Sequence, residues 1–343
     1  MKKALVILLS VIMVLSFTGC AKDREVLNVY NWGEYIDMEV LDMFEEETGI
    51  KVNYNTFVTN EDMYVKLSKG RVSYDVIFPS DYMIQRMIDE DMLQKINMDN
   101  VPNYFNIADV HKNLSFDPDN EYSVPYLWGT VGILYNKTMV SDTVDSWDIL
   151  WNEKYSQKIF MQDSQRDSMM VALIRLGYSQ NTTDQNQVNQ ARDLLIAQKP
   201  LVLGYLVDEV KDKMVQGEGA LAVVWSGEAV AAMELNEDLA FVIPKEGSNR
   251  WVDSMVIPKN AKNVSAAEKF INFMLRDDIM VMNANETGYS ITSKTAIELL
   301  DEDWRNNLVA FPTEEMMSEC EFFEYNAEAT VMYNKAWTEV TAN

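Results

Sequence analysis

The chain is poor in the residues that form cross-links, metal sites and nucleophilic dyads. Its 343 residues include two cysteines, Cys20 and Cys320, and a single histidine, His111. These three side chains are too few for a thiolate–imidazole zinc site or a Cys–His nucleophile pair. His111 lies in the polar stretch ADVHKNLSFDPDN and is predicted to be a surface residue. The sequence therefore predicts no metal, no cofactor and a fold stabilised by hydrophobic cores rather than by disulfides.

Basic residues are also in short supply. The sequence has 29 lysines and arginines against 54 aspartates and glutamates, which gives a formal net charge of −25. Such a charge argues against nucleic acid and against any other partner held through its phosphate groups. Cationic partners are favoured instead, although surplus acid also keeps many protein surfaces solvated.

The N-terminus has the pattern of an export signal. Lys2 and Lys3 precede the apolar run ALVILLSVIMVLSF, and the triplet TGC ends at Cys20. This pattern resembles a bacterial lipoprotein signal, in which residues 1–19 are removed and the thiol of Cys20 carries lipid. An ordinary secretory signal with a chance cysteine is the alternative. No later stretch is long and apolar enough to span a bilayer, so the lipid is the predicted membrane anchor of an exported chain.

Periodicity predicts an α/β protein. At this length two domains are expected, because single hydrophobic cores stop growing below it. VLNVY is strand-like, a helix runs from an N-cap at Asp37 to Gly49, and IKVNYNTF and YDVIF are strand-like again. This βαβ alternation is typical of a parallel sheet. Further strands are predicted in KIFMQDS, GALAVVW, EDLAFVIP and RWVDSMVIP.

Acidic and aromatic residues follow the predicted strands. NWGEY and PSDY both stand at carboxyl ends of strands, where ligands bind in open parallel sheets. In RWVDSMVIP, strand alternation places Trp251 and Asp253 on one face and Val252 on the other. These side chains are therefore predicted to face a crevice.

From about residue 26 to its C-terminus the chain resembles the spermidine/putrescine-binding proteins of bacterial ABC polyamine transporters. The matching stretches, in order, are YNWGEYID, FEEETGIKVNYNTF, YDVIFPSDYMI, YSVPYLWGTVGILYN, RLGYSQNTTD, VVWSGEA, RWVDSMVIPKNA and NETGYSIT. The resemblance implies a type II periplasmic-binding-protein fold with two lobes, each a sheet flanked by helices. Crossing strands would join the lobes, with the ligand cleft between them. Lobe 1 would take residues 26–134 and 258–304, and lobe 2 residues 135–257 and 305–343.

The resemblance also implies a ligand site. It carries a binding role onto Trp32, Glu34, Tyr35, Ser80, Tyr82, Asp167, Trp225, Trp251, Asp253 and Tyr289. A polyamine needs carboxylates for its ammonium groups and aromatic faces for its methylenes. Glu34 and Asp167 are assigned to the terminal ammonium groups and Asp253 to the middle of the ligand.

Three positions depart from the family pattern or align loosely with it. The family commonly has an acid where Ser164 stands and a hydroxyl or polar residue where Gly33 stands. Ser164 can still hydrogen-bond a ligand, but it supplies no charge. A polar ligand-reaching side chain is also expected in CEFFEYNAEA, where Glu321 or Glu324 could take the role. These departures leave the choice between putrescine and spermidine open.

Each site residue also has a structural explanation, and other functions stay open. Trp32 or Trp225 alone is more often a core residue, and Asp167 could cap a helix. The resemblance implies a monomeric, extracytoplasmic protein that captures polyamines and delivers them to the transmembrane subunits of a permease, not an enzyme. The alternatives are the same fold binding a sugar or other small solute, a hydrolase using a carboxylate pair such as Glu34 and Asp253, and a structural lipoprotein.

Overall fold

A computed structural model describes residues 24–342. The predicted signal peptide and the lipidation site at Cys20 lie outside these residues. Within them the strands are β1 (Val26–Trp32), β2 (Lys51–Phe57), β3 (Val76–Ile77), β4 (Leu93–Gln94), β5 (Ser123–Asn136), β6 (Ile159–Gln162), β7 (Val202–Leu206), β8 (Leu221–Trp225), β9 (Leu239–Val242), β10 (Arg250–Pro258) and β11 (Ser290–Ile291).

Helices alternate with these strands. They are α1 (Met38–Thr48), α2 (Asn60–Ser68), α3 (Asp81–Asp89), α4 (Gln165–Arg175), α5 (Gln185–Gln198), α6 (Glu209–Val215), α7 (Ser226–Leu235), α8 (Val264–Met274), α9 (Asp277–Thr287), α10 (Lys294–Ile297), α11 (Glu302–Arg305) and α12 (Ala327–Ala342). Short 3-10 turns cover Met98–Asn100, Pro102–Asn106, Asp109–His111, Trp147–Trp151, Glu153–Tyr155 and Lys199–Leu201. In the part of the chain that the structure describes, no helix combines the length and apolarity needed to cross a bilayer.

Helix α1 shows how local sequence sets the boundaries of an element. The Asp37 carboxylate accepts a hydrogen bond from the backbone N–H of Glu39 at 2.9 Å and so caps the N-terminus. Gly49 ends the helix in the left-handed region, at φ +74°, which glycine adopts without strain. Both predicted ends are confirmed, and they fix where the loop after β1 enters the helix.

The first half of the molecule contains the predicted βαβ units. Strand β1 pairs in parallel with β2 and with β3. Strand β3 is shorter than the run YDVIF predicts, because Pro79 has no N–H with which to extend the ladder and the chain turns there into α3.

Strands β5 and β10 connect the two halves. They pair antiparallel with each other, and β10 also pairs with β3. The C-terminal part of β5 pairs with β8 and β9, and β6 lies parallel to β7 and β8 in the second half. Helix α12 packs on α4 and α5. The described residues thus form one continuous sheet of eleven strands, whose two halves meet at the paired β5 and β10. The residue bounds assigned to each lobe stay a prediction.

His111 is buried, so its predicted surface position is wrong. It ends a 3-10 turn and is 8% exposed, with its ring centroid 5.3 Å from that of Trp128. Burial, with a smaller contribution from the charge of Arg250, lowers the pKa of His111 to about 4. The polar stretch around it packs both His111 and Phe116 inward, which its polar composition does not reveal.

Replacing Asp75 with alanine is expected to destabilise the first half strongly. Asp75 is fully buried and accepts hydrogen bonds from the N–H of Asn28 (2.8 Å) and from the N–H groups of Lys262 and Asn263 (both 2.9 Å). Losing the acceptor leaves these donors unpaired, so the free energy of unfolding should fall by about 3 kcal/mol in urea titrations. The exposed Asp99→Ala serves as control and should change it by less than about 0.5 kcal/mol.

Candidate functional site

A single cleft of about 660 Å³ collects the predicted site residues. It is lined by all ten residues of the main prediction, Trp32, Glu34, Tyr35, Ser80, Tyr82, Asp167, Trp225, Trp251, Asp253 and Tyr289, and also by Ser164. The structure thus brings into one cavity side chains that the sequence places more than 200 residues apart. Glu324 is not among the lining residues. It is exposed, and its neighbour Phe323 lines the cleft instead.

The cleft is strongly acidic. Eight carboxylate side chains line it, against one arginine and one lysine, for a formal charge of −6. The acids are Glu34, Glu61, Asp81, Asp167, Asp208, Glu228, Asp253 and Glu286, and the bases are Arg166 and Lys211. A cavity of this charge favours a ligand that carries several positive charges.

Asp253 lies in β10 on the floor of the cleft. It is 4% exposed, and its Oδ1 atom has no hydrogen-bond partner among the described residues. Burial raises the pKa of Asp253 to about 7; the hydroxyls of Ser80 and Tyr35 oppose this rise, and repulsion from Asp167 adds to it. Burying a carboxyl group with an unpartnered oxygen costs free energy unless a cation binds to it.

Asp167 lies in the first turn of α4, on the other side of the cleft. It is 5% exposed, and its Oδ2 accepts a hydrogen bond from the Ser164 hydroxyl at 2.6 Å. Its Oδ1 has no partner within residues 24–342. Burial raises the pKa of Asp167 to about 6, while the Ser164 hydrogen bond opposes the rise. Ser164 is therefore engaged in orienting Asp167.

Arg166 and Glu61 flank Asp167, and the sequence did not indicate either. The Arg166 guanidinium lies 4.4 Å from the ring centroid of Phe323 and donates to the backbone oxygen of Glu324 at 3.3 Å. Glu61 accepts a hydrogen bond from the Tyr82 hydroxyl at 3.0 Å. The charge of Arg166 is thus anchored at the edge of the cleft, where it lowers the pKa of Glu61 and of Asp167 against the larger effect of burial.

Asp81 lies behind this part of the cleft, at the start of α3. It is fully buried and accepts hydrogen bonds from the N–H of Tyr82 (2.6 Å) and of Val252 (3.4 Å). Burial raises its pKa well above the usual range, with repulsion from Asp253 adding to the effect. Its hydrogen bonds tie the α3 end to β10 and hold the floor in place.

Aromatic rings form a wall along the cleft, and they include two groups of contacting rings. Tyr289 contacts Tyr35 and Trp251 edge-to-face, with ring centroids 5.0 and 5.4 Å apart. The rings of Trp32 and Trp225 approach to 6.4 Å, and the Trp32 indole N–H donates to the backbone oxygen of Phe78 at 2.7 Å. Such rings present negative π-density and flat apolar faces to a ligand.

Gly227 makes room for Tyr289. A Cβ atom at Gly227 would lie 2.2 Å from Cδ1 of the Tyr289 ring, which is far inside contact distance. Tyr289 itself follows Gly288, the left-handed residue at φ +75° that ends α9. The stretches WSGEA and ETGYS are therefore in contact. Only their aromatic residues, Trp225 and Tyr289, were predicted from the sequence to line the site.

Glu34 lies at the mouth of the cleft and already has a cationic partner. Its side chain is 66% exposed and forms an ion pair with Lys211 of α6 at 2.5 Å. The residue adopts φ +46°, a conformation uncommon outside glycine. Glu34, the acid assigned to a terminal ammonium group, therefore lines the cavity. Its negative charge is partly neutralised by Lys211.

Several lining acids were missed although a signal for them was present. Asp208 follows β7 directly and Glu228 lies just after β8, so both satisfy the strand-end argument that selected Trp32 and Tyr82. The strand-end prediction covered only NWGEY and PSDY, in the first half of the chain. Among residues 24–342 no group of three or more His, Cys, Asp or Glu has the arrangement of a metal site.

Comparisons with known proteins place the chain among exported binding proteins. A family model described as bacterial extracellular solute-binding protein matches residues 39–313. The spermidine/putrescine-binding periplasmic protein of Salmonella typhimurium is 36% identical over 324 residues, which cover 94% of this chain and 93% of the relative.

Solved structures agree with this placement. A chain from Listeria monocytogenes is 40% identical with a TM-score of 0.90, and covers 92% of this chain and 99% of its own length. The spermidine/putrescine ABC transporter substrate-binding protein PotD of Streptococcus pneumoniae is 41% identical with a TM-score of 0.79, and covers 93% and 99%. These similarities confirm the predicted two-lobed α/β fold.

Proposed function

The chain belongs to the bacterial extracellular solute-binding protein family, and from this premise we propose that it captures spermidine or putrescine for an ABC importer. The observation that carries the proposal is a cleft lined by eight acids and two bases, with buried carboxylate oxygens that lack partners. The names of its relatives support the same ligand class.

In the proposed binding mode, carboxylates of the protein pair with the ammonium groups of the ligand, and aromatic rings cover its methylene groups. Asp167 and Asp253 each offer an unpartnered buried oxygen to an ammonium group. The rings of Tyr35, Trp251 and Tyr289 cover the hydrocarbon between the ammonium groups and exclude water. Charge-assisted hydrogen bonds in such a dry site are stronger than those between neutral groups.

A neutral ligand fits this cleft poorly. A sugar would stack on the rings but would leave the unpartnered buried oxygens of Asp167 and Asp253 without a cation, which is costly. A carboxylate-pair hydrolase is also disfavoured, since Glu34 is exposed and bound to Lys211 whereas Asp253 is buried. We therefore assign binding, and no catalysis, to the cleft.

Delivery would follow from closure of the lobes. β5 and β10 cross between the halves, and hinge motion about such strands would open and close the cleft. A ligand that contacts both sides favours the closed form, which the permease would recognise. Lipid on Cys20 would keep the monomer at the outer face of the membrane.

Thermal unfolding in the presence of candidate ligands tests the proposal. Spermidine or putrescine at about 100 times its Kd should stabilise the protein by about 2.7 kcal/mol and raise Tm, because it binds the native state alone. Glucose, maltose and neutral amino acids should leave Tm unchanged. A rise with a sugar and none with either amine would overturn the assignment. Native mass spectrometry of the purified protein should show a co-purified amine.

Replacing Gly227 with alanine is expected to weaken polyamine binding about ten-fold. The new Cβ would lie 2.2 Å from the Tyr289 ring, so the ring must leave its place in the aromatic wall and lose part of its contact with the ligand. Isothermal titration calorimetry measures the loss. Gly204→Ala is the matched control, because its nearest neighbours lie 3.8 Å away, and it should bind normally.

A further inference from the structure

Two acids that the binding mode above does not use lie together at one end of the cleft. Asp208 stands just before α6, and Glu228 lies in the first turn of α7. Both line the cleft, on the side where Glu34 meets Lys211. We refer to Asp208 and Glu228 as the outer acids, and to Asp167 and Asp253 as the inner acids.

The inner acids and the outer acids have different electrostatic neighbours. The carboxylates coupled to Asp253 are Asp167 and Asp81, whereas those that act on Glu228 are Asp208 and Glu34. The Tyr289 ring packs on one side against Gly227, next to Glu228, where a Cβ would lie 2.2 Å from its Cδ1. It also contacts Trp251, two residues from Asp253, with ring centroids 5.4 Å apart. Glu228, Asp208 and Asp253 all add to the rise that burial causes in the pKa of Tyr289. Tyr289 thus packs against a neighbour of Glu228 and against a residue of the strand that carries Asp253.

The basic residue near the outer acids is already paired with another carboxylate. Lys211 is the basic residue lining this end, and its ammonium group is bound to Glu34 at 2.5 Å. One oxygen of Glu228, Oε2, is buried and has no hydrogen-bond partner among the residues that the structure describes. Burial, with repulsion from Asp208, raises the pKa of Glu228 well above its usual range. This end of the cleft therefore has a buried carboxyl oxygen that no described group of the protein binds.

Gly33 allows the Asp208 carboxylate to reach into the cleft. A Cβ at position 33 would lie 2.7 Å from Oδ2 of Asp208, so any larger residue would push the carboxylate away. Family members commonly have a hydroxyl or polar residue here, and an acid where this chain has Ser164. Relative to that pattern, Ser164 removes a negative charge beside Asp167, and Gly33 leaves room for the Asp208 carboxylate.

Given the proposed function, we propose that Asp208 and Glu228 bind a third ammonium group and thereby select a triamine over a diamine. The inner acids hold the two ammonium groups that both ligands possess. The outer acids contribute only when the ligand continues past Tyr289 to a further ammonium. With a diamine they remain unpaired, which costs affinity relative to the triamine.

Calorimetry on paired variants tests this role. Asp208→Asn and Glu228→Gln should each weaken spermidine binding at least ten-fold and putrescine binding less than two-fold. Asp212→Asn removes the same charge from the exposed face of α6 and should alter neither affinity. Equal losses for both amines, or no loss for spermidine, would overturn the proposal. Wild-type protein that binds neither amine would instead overturn the proposed function.

A glycine variant tests the same idea without touching an acid. Gly33→Ala should displace the Asp208 carboxylate, whose flexible end can rotate away, and so reproduce the spermidine loss of Asp208→Asn. The double variant should lose no more than either single variant, because both act through one group. Losses that multiply in the double variant would contradict the assignment, and melting temperatures establish that each variant is folded.

Discussion

Asp253→Asn is expected to weaken spermidine binding by at least a hundred-fold. Asp253 is 4% exposed with one unpartnered oxygen, so asparagine at this position would leave a desolvated ammonium without its counter-charge. Truncating one partner of a buried charge pair costs about 2 to 5 kcal/mol, and about 2.7 kcal/mol is a hundred-fold in Kd. Calorimetry at pH 7.5 measures the change.

The matched control for this variant is Glu286→Gln. Glu286 lines the same cleft but is exposed, so water screens its charge and the affinity should fall by less than about three-fold. Comparable losses for the two variants would mean that the cleft attracts polyamines by its overall field rather than by a contact to Asp253. Unchanged affinity in Asp253→Asn would refute the site.

Affinity should fall steeply as the solution becomes acidic. The folded, unliganded protein holds Asp253 with a pKa of about 7 and Asp167 with a pKa of about 6, both above their usual value of 3.8. Ammonium binding requires both carboxylates ionised, so below these pKa values binding must release the protons that they hold. From pH 7.5 to pH 5, Kd should rise roughly several hundred-fold, most of it from Asp253.

Proton release gives an independent readout of the same linkage. Titrations in buffers of different ionisation enthalpy should show protons released on binding at pH 6 and almost none at pH 8. Asp253→Asn should retain only about a ten-fold rise in Kd over the same range, from Asp167 alone. An affinity that is independent of pH from 7.5 to 5 would contradict the raised pKa values on which this expectation depends.

The raised pKa values also set the stability of the unliganded protein. In the unfolded chain Asp253 releases its proton near pH 4, whereas in the folded chain it does so only near pH 7. The folded state therefore binds more protons between these values, and its stability declines as pH rises through that window. Ligand binding reverses this decline, because the ammonium group replaces the missing proton as the source of positive charge.

Sequence reasoning succeeded where the physics is local. Asp37 and Gly49 mark both ends of α1 because capping depends on a few adjacent residues. The strand-end rule located the stretch around Trp32 for a similar reason, since the chain must leave a parallel strand at the ligand edge. These local signals can be recognised in the sequence without knowing which residues lie across the cleft.

It failed where two distant segments must meet. Nothing around Asp208 shows that Gly33 faces it across the cleft, and the ion pair between Lys211 and Glu34 joins residues from opposite halves. Glu324 was selected by a loose alignment, but at that corner the chain turns Phe323 inward instead. These relations depend on how the two halves of the molecule are set against each other, which no local pattern specifies.

The crossing strands also constrain how this molecule acquires its fold. Val124 of β5 pairs with Met255 of β10, so the central ladder forms only after more than a hundred intervening residues are available. Non-local pairings of this kind slow folding, because loop-closure entropy is lost before contacts compensate for it. The pairings of β1 with β2 and β3 can form early, but the two halves are joined only once β10 is available. Late closure of the central ladder would suit the export that the N-terminal sequence pattern predicts, because a chain passes through a translocation pore before it collapses.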